Sequence, residues 1–357
     1  MKVIADLHIH SKYSRAVSKQ MDLETMALWA EKKGIDLLAT GDWTHPVWFK
    51  EIESKLEEDG EGIFKVKSSK SKMRYALSCE ISNIYTKGGK GRRIHTVFMA
   101  PSFKTVRKIN KELTKRGGNL LSDGRPILGF SMEEMCEIVW GIDEKVIVMP
   151  AHIWTPWFAM FGSKSGFDSV EECFGKYADK IKAIETGLSS DPAMNWKVKD
   201  LETRAIVSSS DAHSPRKLGR EVTVFDFEKD KYSFSDLAEG LEKGNKKNKI
   251  VYTIEFHPEE GKYYYTGHRK CGVVQSPKET SKRGTTCHVC GKPLTVGVMH
   301  RVEELASGPS TNLSSQNFNK ETPSSLPAQA GFAVPTRHSA GSPVKESPLT
   351  SRKGLNL

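Results

Sequence analysis

Seven short apolar runs, each shaped like a strand, alternate with helical patterns across roughly residues 1–225. They read KVIADLHIH, IDLLATGD, RYALSCEISNIY, IHTVFMAP, KVIVMPAHI, KAIETG and RAIVSSSDAH. Amphipathic stretches such as LETMALWAEKKG, SFKTVRKINKELTKRGG and SMEEMCEIVWGI lie between several of them. This alternation predicts an α/β domain on a parallel, barrel-like sheet. In such barrels the chemistry gathers at the C-terminal strand ends. His10, Asp42, Glu80, His152, Glu185 and Asp211 fall at or near those ends.

The first run carries Asp6, His8 and His10 at alternate positions. Residues two apart on a strand share a face, so the three are expected to project together, with Val3, Ala5, Leu7 and Ile9 packed behind. GDWTHP adds Asp42 and His45, RRIHTVFMAP adds His95, MPAHIW adds His152, and SSSDAHSP adds Asp211 and His213. One strand-end histidine is ordinary packing. Carboxylates and imidazoles delivered from strand after strand are expensive to bury together unless a cation neutralises them. Imidazole suits zinc and its neighbours, while carboxylates extend the choice to manganese and magnesium. The pattern therefore predicts a multinuclear divalent metal site (zinc, manganese or magnesium) and needs no serine or cysteine nucleophile.

Composition limits the partners. With 37% hydrophobic and 27% charged residues, the chain has no apolar run long enough to span a bilayer. No signal-peptide pattern opens it, which predicts a cytoplasmic protein. The formal net charge is +10, and the excess is concentrated in FKVKSSKSKMR, TKGGKGRR, KTVRKINKELTKR and EKGNKKNK. Four basic runs on an enzyme-like chain point to a polyanion, with nucleic acid foremost.

The order DLHIH, GD, SCEIS, RIHTVFMAP, PAHIW and SDAH resembles the polymerase-and-histidinol-phosphatase (PHP) superfamily of metal-dependent phosphoesterases. That resemblance implies a distorted (βα)7 barrel over residues 1–249 holding two or three metal ions. It places His8, His10, Glu80 and Asp211 around one ion as the catalytic core. Glu80 would bridge to a second ion held by His95 and His152, and Asp42 with His213 would serve a third. The stretch PAHIWTPWFAMFGSKSGFDSVEECFG, with AIETGLSSDPAMNW, is similar to endonuclease Q, a PHP-type DNA repair nuclease family. This implies nicking of DNA on the 5′ side of uracil, hypoxanthine or an abasic site. Trp154 and Trp157 would then receive the extruded base, and Lys164 would meet backbone phosphate.

Residues 250–305 change character. KIVYTIEFHPEEGKYYYTGHRKCG reads as a small hairpin region leading into a cysteine-rich module. His268-x-x-Cys271 and Cys287-x-x-Cys290 are separated by a spacer of 15 residues, which predicts a structural zinc site. His257, His288 and His300 compete with His268 as the fourth ligand. Neighbouring Arg269 and Lys270 make the module a candidate DNA clamp. Where the family continues after VGVMHRVEELA into a helical region, residues 306–357 form a Ser/Pro-rich tail expected to be disordered. No tail segment reads as a peptide for a sliding clamp. Two other readings stand beside the repair nuclease. One is a small-molecule phosphatase of the histidinol phosphatase kind, for which basic runs and a zinc module have no use. The other is a DNA-binding protein that has lost catalysis, against which the full ligand set argues.

Overall fold

The computed structural model describes residues 1–68 and 71–307. Apart from its first two residues, the expected tail lies outside them. In chain order the strands are β1 (Lys2–Asp6), β2 (Leu37–Ala39), β3 (Leu56–Gly60), β4 (Ile63–Val66), β5 (Arg74–Lys87), β6 (Lys90–Ala100) and β7 (Ile127–Leu128). They continue with β8 (Ile147–Pro150), β9 (Ala183–Glu185), β10 (Ala205–Val207), β11 (Val222–Asp226), β12 (Lys249–Ile254), β13 (Thr266–His268) and β14 (Val273–Gln275). The four longest helices among the described residues are α1 (Leu23–Lys32), α2 (Pro46–Lys55), α3 (Phe103–Lys115) and α4 (Met132–Ile142).

The architecture is mixed α/β, and the expectation of a parallel sheet needs correcting. β1 and β2, β2 and β5, and β9 and β10 pair in parallel. β5 and β6 instead form a long antiparallel hairpin, and β6 pairs antiparallel with β8. The physical reason is the Gly88-Gly89 turn, with φ values of 61° and 71°. Two residues of positive φ close a tight hairpin, whereas a parallel partner needs a crossover of about a dozen residues. β9 and β10 are tied at one end to β8 through Ile153 N–H donating to Glu185 O at 3.0 Å. At the other end, a bridge joins Ile9 to Ala212 beside β1.

An inner core cluster draws side chains from each of these strands: Val3 and Ala5, Leu37, Ala76, Val97, Met149, Ala183 and Val207. An outer cluster packs α1 to α4 against the other face through residues such as Met26, Trp48, Ile109 and Val139. Side chains on a strand repeat every two residues. Glu80 therefore continues the face of Ala76, His95 that of Val97, and Glu185 that of Ala183, which places all three polar groups on the inner face. Glu80 and His95 lie in the interior of the β5–β6 hairpin rather than at strand ends.

The segment KIVYTIEF forms no separate hairpin. β12 adds to the main sheet, antiparallel to β11. β13 and β14 form a small sheet of their own whose core is only Val273, Cys287 and Leu294, with Cys271 packed against them.

Candidate metal centre

β1 ends at Asp6, and the chain then changes face. Val3, Ala5 and Leu7 belong to the inner cluster, but Ile9 joins the outer one. The switch turns His8 and His10 into the site and leaves Asp6 behind them. Asp6 therefore does not project with the histidines. It accepts from Ser210 N–H and Gly219 N–H, both at 2.9 Å, and so fixes the loop that carries Asp211. Buried in this role, its carboxyl is pushed up to about 6.

Two groups of donor atoms form around Glu80, which is itself buried. His8, His10 and Asp211 make one group, and Glu80, His95 and His152 make the other, with ligand atoms within 4.8 Å of one another in each. Glu80 stands between them. Its Oε2 lies 3.2 Å from His10 Nε2, while its Oε1 lies 2.7 Å from His95 Nδ1 and 3.2 Å from His152 Nε2. Asp211 Oδ1 is 3.2 Å from His10 Nε2. Yet His8 Nε2, His10 Nε2, His95 Nδ1 and Asp211 Oδ1 are all buried without a hydrogen-bond partner among the described residues. These atoms approach one another without the angles a hydrogen bond requires. Convergent, unsatisfied imidazole and carboxylate donors are the chemistry of a divalent cation site, so the residues fit one.

The backbone carries the cost of this convergence. His152, Asp211 and Asp42 have φ values of 31°, 45° and 50°, in the left-handed region that non-glycine residues rarely adopt. Such strain persists where surrounding structure enforces it, and it clusters at functional sites. Gly187 packs so closely on His152 that an added Cβ would lie 2.8 Å from the histidine's own Cβ.

Behind the donors stand carboxylates that orient them. Glu185 Oε2 accepts from His8 Nδ1 and from the His152 backbone N–H, each at 2.9 Å, tying the two groups together. Asp42 accepts from His10 Nδ1 at 3.0 Å, from Ser11 N–H and Oγ at 2.6 and 2.7 Å, and from Ser14 Oγ at 2.8 Å. Its oxygens are thus occupied, which corrects its expected place among the metal ligands. His213 lies edge-on against His10 at 4.8 Å, and it shares no three-donor group with Asp42 among the described residues. His45 caps α2 instead, its side chain accepting from Trp48 N–H at 3.4 Å.

Electrostatics separate the protonation states. Burial would raise the Glu80 carboxyl, but His95, Arg125 and His8 hold it well below the usual carboxylate range. Burial would likewise raise Asp211, and His10 and His8 hold it down. Burial pushes the His95 imidazole down to about 4, leaving it neutral and ready to donate a lone pair. His8 and His10 go the other way: burial disfavours their charge, but Glu185 and Glu80 at His8, and Asp42 at His10, raise both. Arg125 was invisible to pattern reading. It reaches the site from a loop, its Nη1 donating to Glu80 Oε2 at 3.1 Å, with a quarter of its side chain exposed.

The aromatic residues divide. Trp154 is 2% exposed and its Nε1 donates to Asn195 Oδ1 at 2.8 Å, so it is core and corrects the expected base contact. Trp157 is 36% exposed and lines a groove of about 700 Å³ together with Tyr263, Tyr265, His268, Arg269 and Lys270. A relay connects groove and centre: His152 Nδ1 meets Thr155 Oγ1 at 3.2 Å, and Thr155 Oγ1 donates to Trp157 O at 2.9 Å. Lys164 points elsewhere, donating to Leu294 O at 3.2 Å, and so docks its loop on the cysteine-rich segment. There His268, Cys271, Cys287 and Cys290 converge within 4.8 Å, while His257, His288 and His300 stay out of the group. Burial would raise the Cys287 thiol, but hydrogen bonds from His268 and the backbone of Cys290 and Val289 bring it down to about 6.

Comparison with known proteins narrows the reading. A PHP-associated family model matches residues 198–245. An uncharacterized protein of Bacillus subtilis, YqxK, is 31% identical over 322 residues, covering 85% of this chain and 77% of its own. The lesion-specific endonuclease PfuEndoQ from Pyrococcus furiosus superposes with a TM-score of 0.74 at 30% identity, over 88% of this chain and 74% of that one. Endonuclease Q in complex with a 27-mer duplex substrate, an abasic lesion at its active site, gives the same TM-score at 31% identity, over 89% and 75%. With coverage of that extent and the two donor groups described above, the chain belongs to the endonuclease Q family.

Proposed function

We propose that this protein is a metal-dependent DNA endonuclease that hydrolyses the phosphodiester on the 5′ side of a deaminated base or an abasic site. The observation that carries this reading is the pair of donor groups sharing Glu80, opening beside an aromatic and cationic groove. His8, His10 and Asp211 would hold one divalent ion, and Glu80, His95 and His152 a second. Bound there, such ions supply an activated water and stabilise charge at phosphorus in an in-line displacement. Glu185 and Asp42 keep the imidazole nitrogens aimed inward. Arg125, exposed on one side of Glu80, holds a non-bridging phosphate oxygen as charge builds on it.

Trp157 and Tyr263 form the stacking platform on which an extruded base is read, with Arg269 and Lys270 on the flanking phosphates. Within residues 250–305 a zinc ion would staple the part around β13 and β14, because the local cluster of Val273, Cys287 and Leu294 cannot sustain a fold unaided. A phosphatase for small esters would have no use for this groove.

The test is nicking of end-labelled duplexes that each carry one uracil, hypoxanthine or abasic site, with an undamaged duplex and the Asp211→Asn protein as controls. A single nick 5′ to a lesion, lost in the variant, supports the reading. Turnover of phosphomonoesters with no nicking refutes it.

A further inference from the structure

Many basic side chains noted in the sequence turn out to be engaged. Lys65 and Arg74 pair with Asp59, Lys87 with Glu133, Lys247 with Glu228, and Lys243 donates to Glu202 O. α3 is different. It carries five basic residues against one acidic residue, and Arg107 on it and Arg116 just beyond it are taken by Glu53 and Glu112. That leaves Lys104, Lys108, Lys111 and Lys115, all exposed, with no salt bridge or side-chain hydrogen bond among the described residues.

At 100° per residue these four fall within an arc of about 60°, directly opposite the buried Val106, Ile109 and Leu113. They form a stripe about 16 Å long, matching the rise of roughly five base pairs. Lysines spaced i, i+4 and i, i+3 repel one another, so the stripe works against the isolated helix unless a polyanion lies along it.

The helix that carries the stripe packs beside the metal centre, with the stripe itself on the outward face. Asn110 on α3 donates its Nδ2 to Trp43 O at 3.0 Å, next to Asp42. The loop that follows the helix brings Gly124 against Asp42 and Arg125 onto Glu80.

We propose that the outward face of α3 is a second DNA-binding surface, where Lys104, Lys108, Lys111 and Lys115 hold phosphates of the duplex flanking the lesion. This rests on the DNA endonuclease reading above. The contact is to phosphate alone, so it adds affinity without adding lesion selectivity.

The test is the salt dependence of binding to an undamaged duplex and to an abasic duplex, for the full chain and for the Lys108→Ala/Lys111→Ala protein. Each phosphate contact contributes about 0.9 to the slope of log K against log salt, so the double variant should lose about 1.8. Its preference for the abasic duplex should be unchanged, and Lys108→Arg/Lys111→Arg should restore the slope. An unchanged slope in a protein that still nicks the abasic duplex overturns this inference alone. No DNA binding by the unsubstituted chain overturns it together with the endonuclease reading.

Discussion

Glu185→Gln removes one charge and no volume, and its effect follows from two hydrogen bonds. The Oε2 of Glu185 accepts from His8 Nδ1 and from His152 N–H, each at 2.9 Å, while its Oε1 has no partner among the described residues. An amide can keep one oxygen in place of Oε2, but it aims an –NH2 where no acceptor waits. It also removes the negative charge that, with Glu80, raises His8. Loss of a carboxylate behind a ligating histidine typically costs 10- to 100-fold in metal affinity. That corresponds to about 1.4–2.7 kcal/mol. Competition between the protein and a chromophoric chelator measures it, with thermal melting to show that the fold is retained. Metal binding by the Glu185→Gln protein within roughly threefold of the parent, at the same melting temperature, would refute the orienting role.

Other consequences separate core from surface and charge from packing. Trp157→Ala should weaken binding to a duplex carrying one uracil by about 1–3 kcal/mol with the melting temperature unchanged. Trp154→Ala, which empties a buried site and strands Asn195, should instead cost about 3–5 kcal/mol of stability in chemical denaturation. Cys287→Ser should remove one equivalent of zinc and speed hydrogen exchange across β13 and β14 while the main sheet stays protected. Burial pushes the Glu221 carboxyl from 4.5 up to about 7, so the folded chain holds this proton more tightly than the unfolded one. The stability it contributes is fully present below about 4.5 and is lost as pH rises through about 7. Glu221→Gln should flatten that decline in melting temperature, and parallel pH curves for the two proteins would contradict it.

Much of the centre was legible because metal donors announce themselves by residue type and spacing. Strand alternation and the cost of burying charge pointed to a divalent metal site, and the resemblance to the PHP superfamily singled out His8, His10, Glu80, His95, His152 and Asp211 within it. What a carboxylate faces was not legible. Asp42 and Asp211 look alike in the sequence, and only the placement of Ser11 and Ser14 turns Asp42 toward His10 and away from a cation. Arg125 was missed because it lies 45 residues from Glu80 on a loop with no periodicity. The antiparallel β5–β6 hairpin was readable from KGGK, a turn signal that the expectation of βα alternation overrode. Asp6 escaped for a subtler reason: the regular alternation of β1 stops before the sequence pattern does, and the face switches between Leu7 and Ile9.

The most direct test is to strip the protein of metal, restore manganese, magnesium or zinc singly, and map the nick on an abasic duplex beside the Glu80→Gln protein. The arrangement around Glu80 predicts no cleavage without metal, one nick 5′ to the lesion with it, and loss of both cleavage and the second bound ion in the variant. Cleavage by the stripped protein, or full activity in the Glu80→Gln protein, would contradict it.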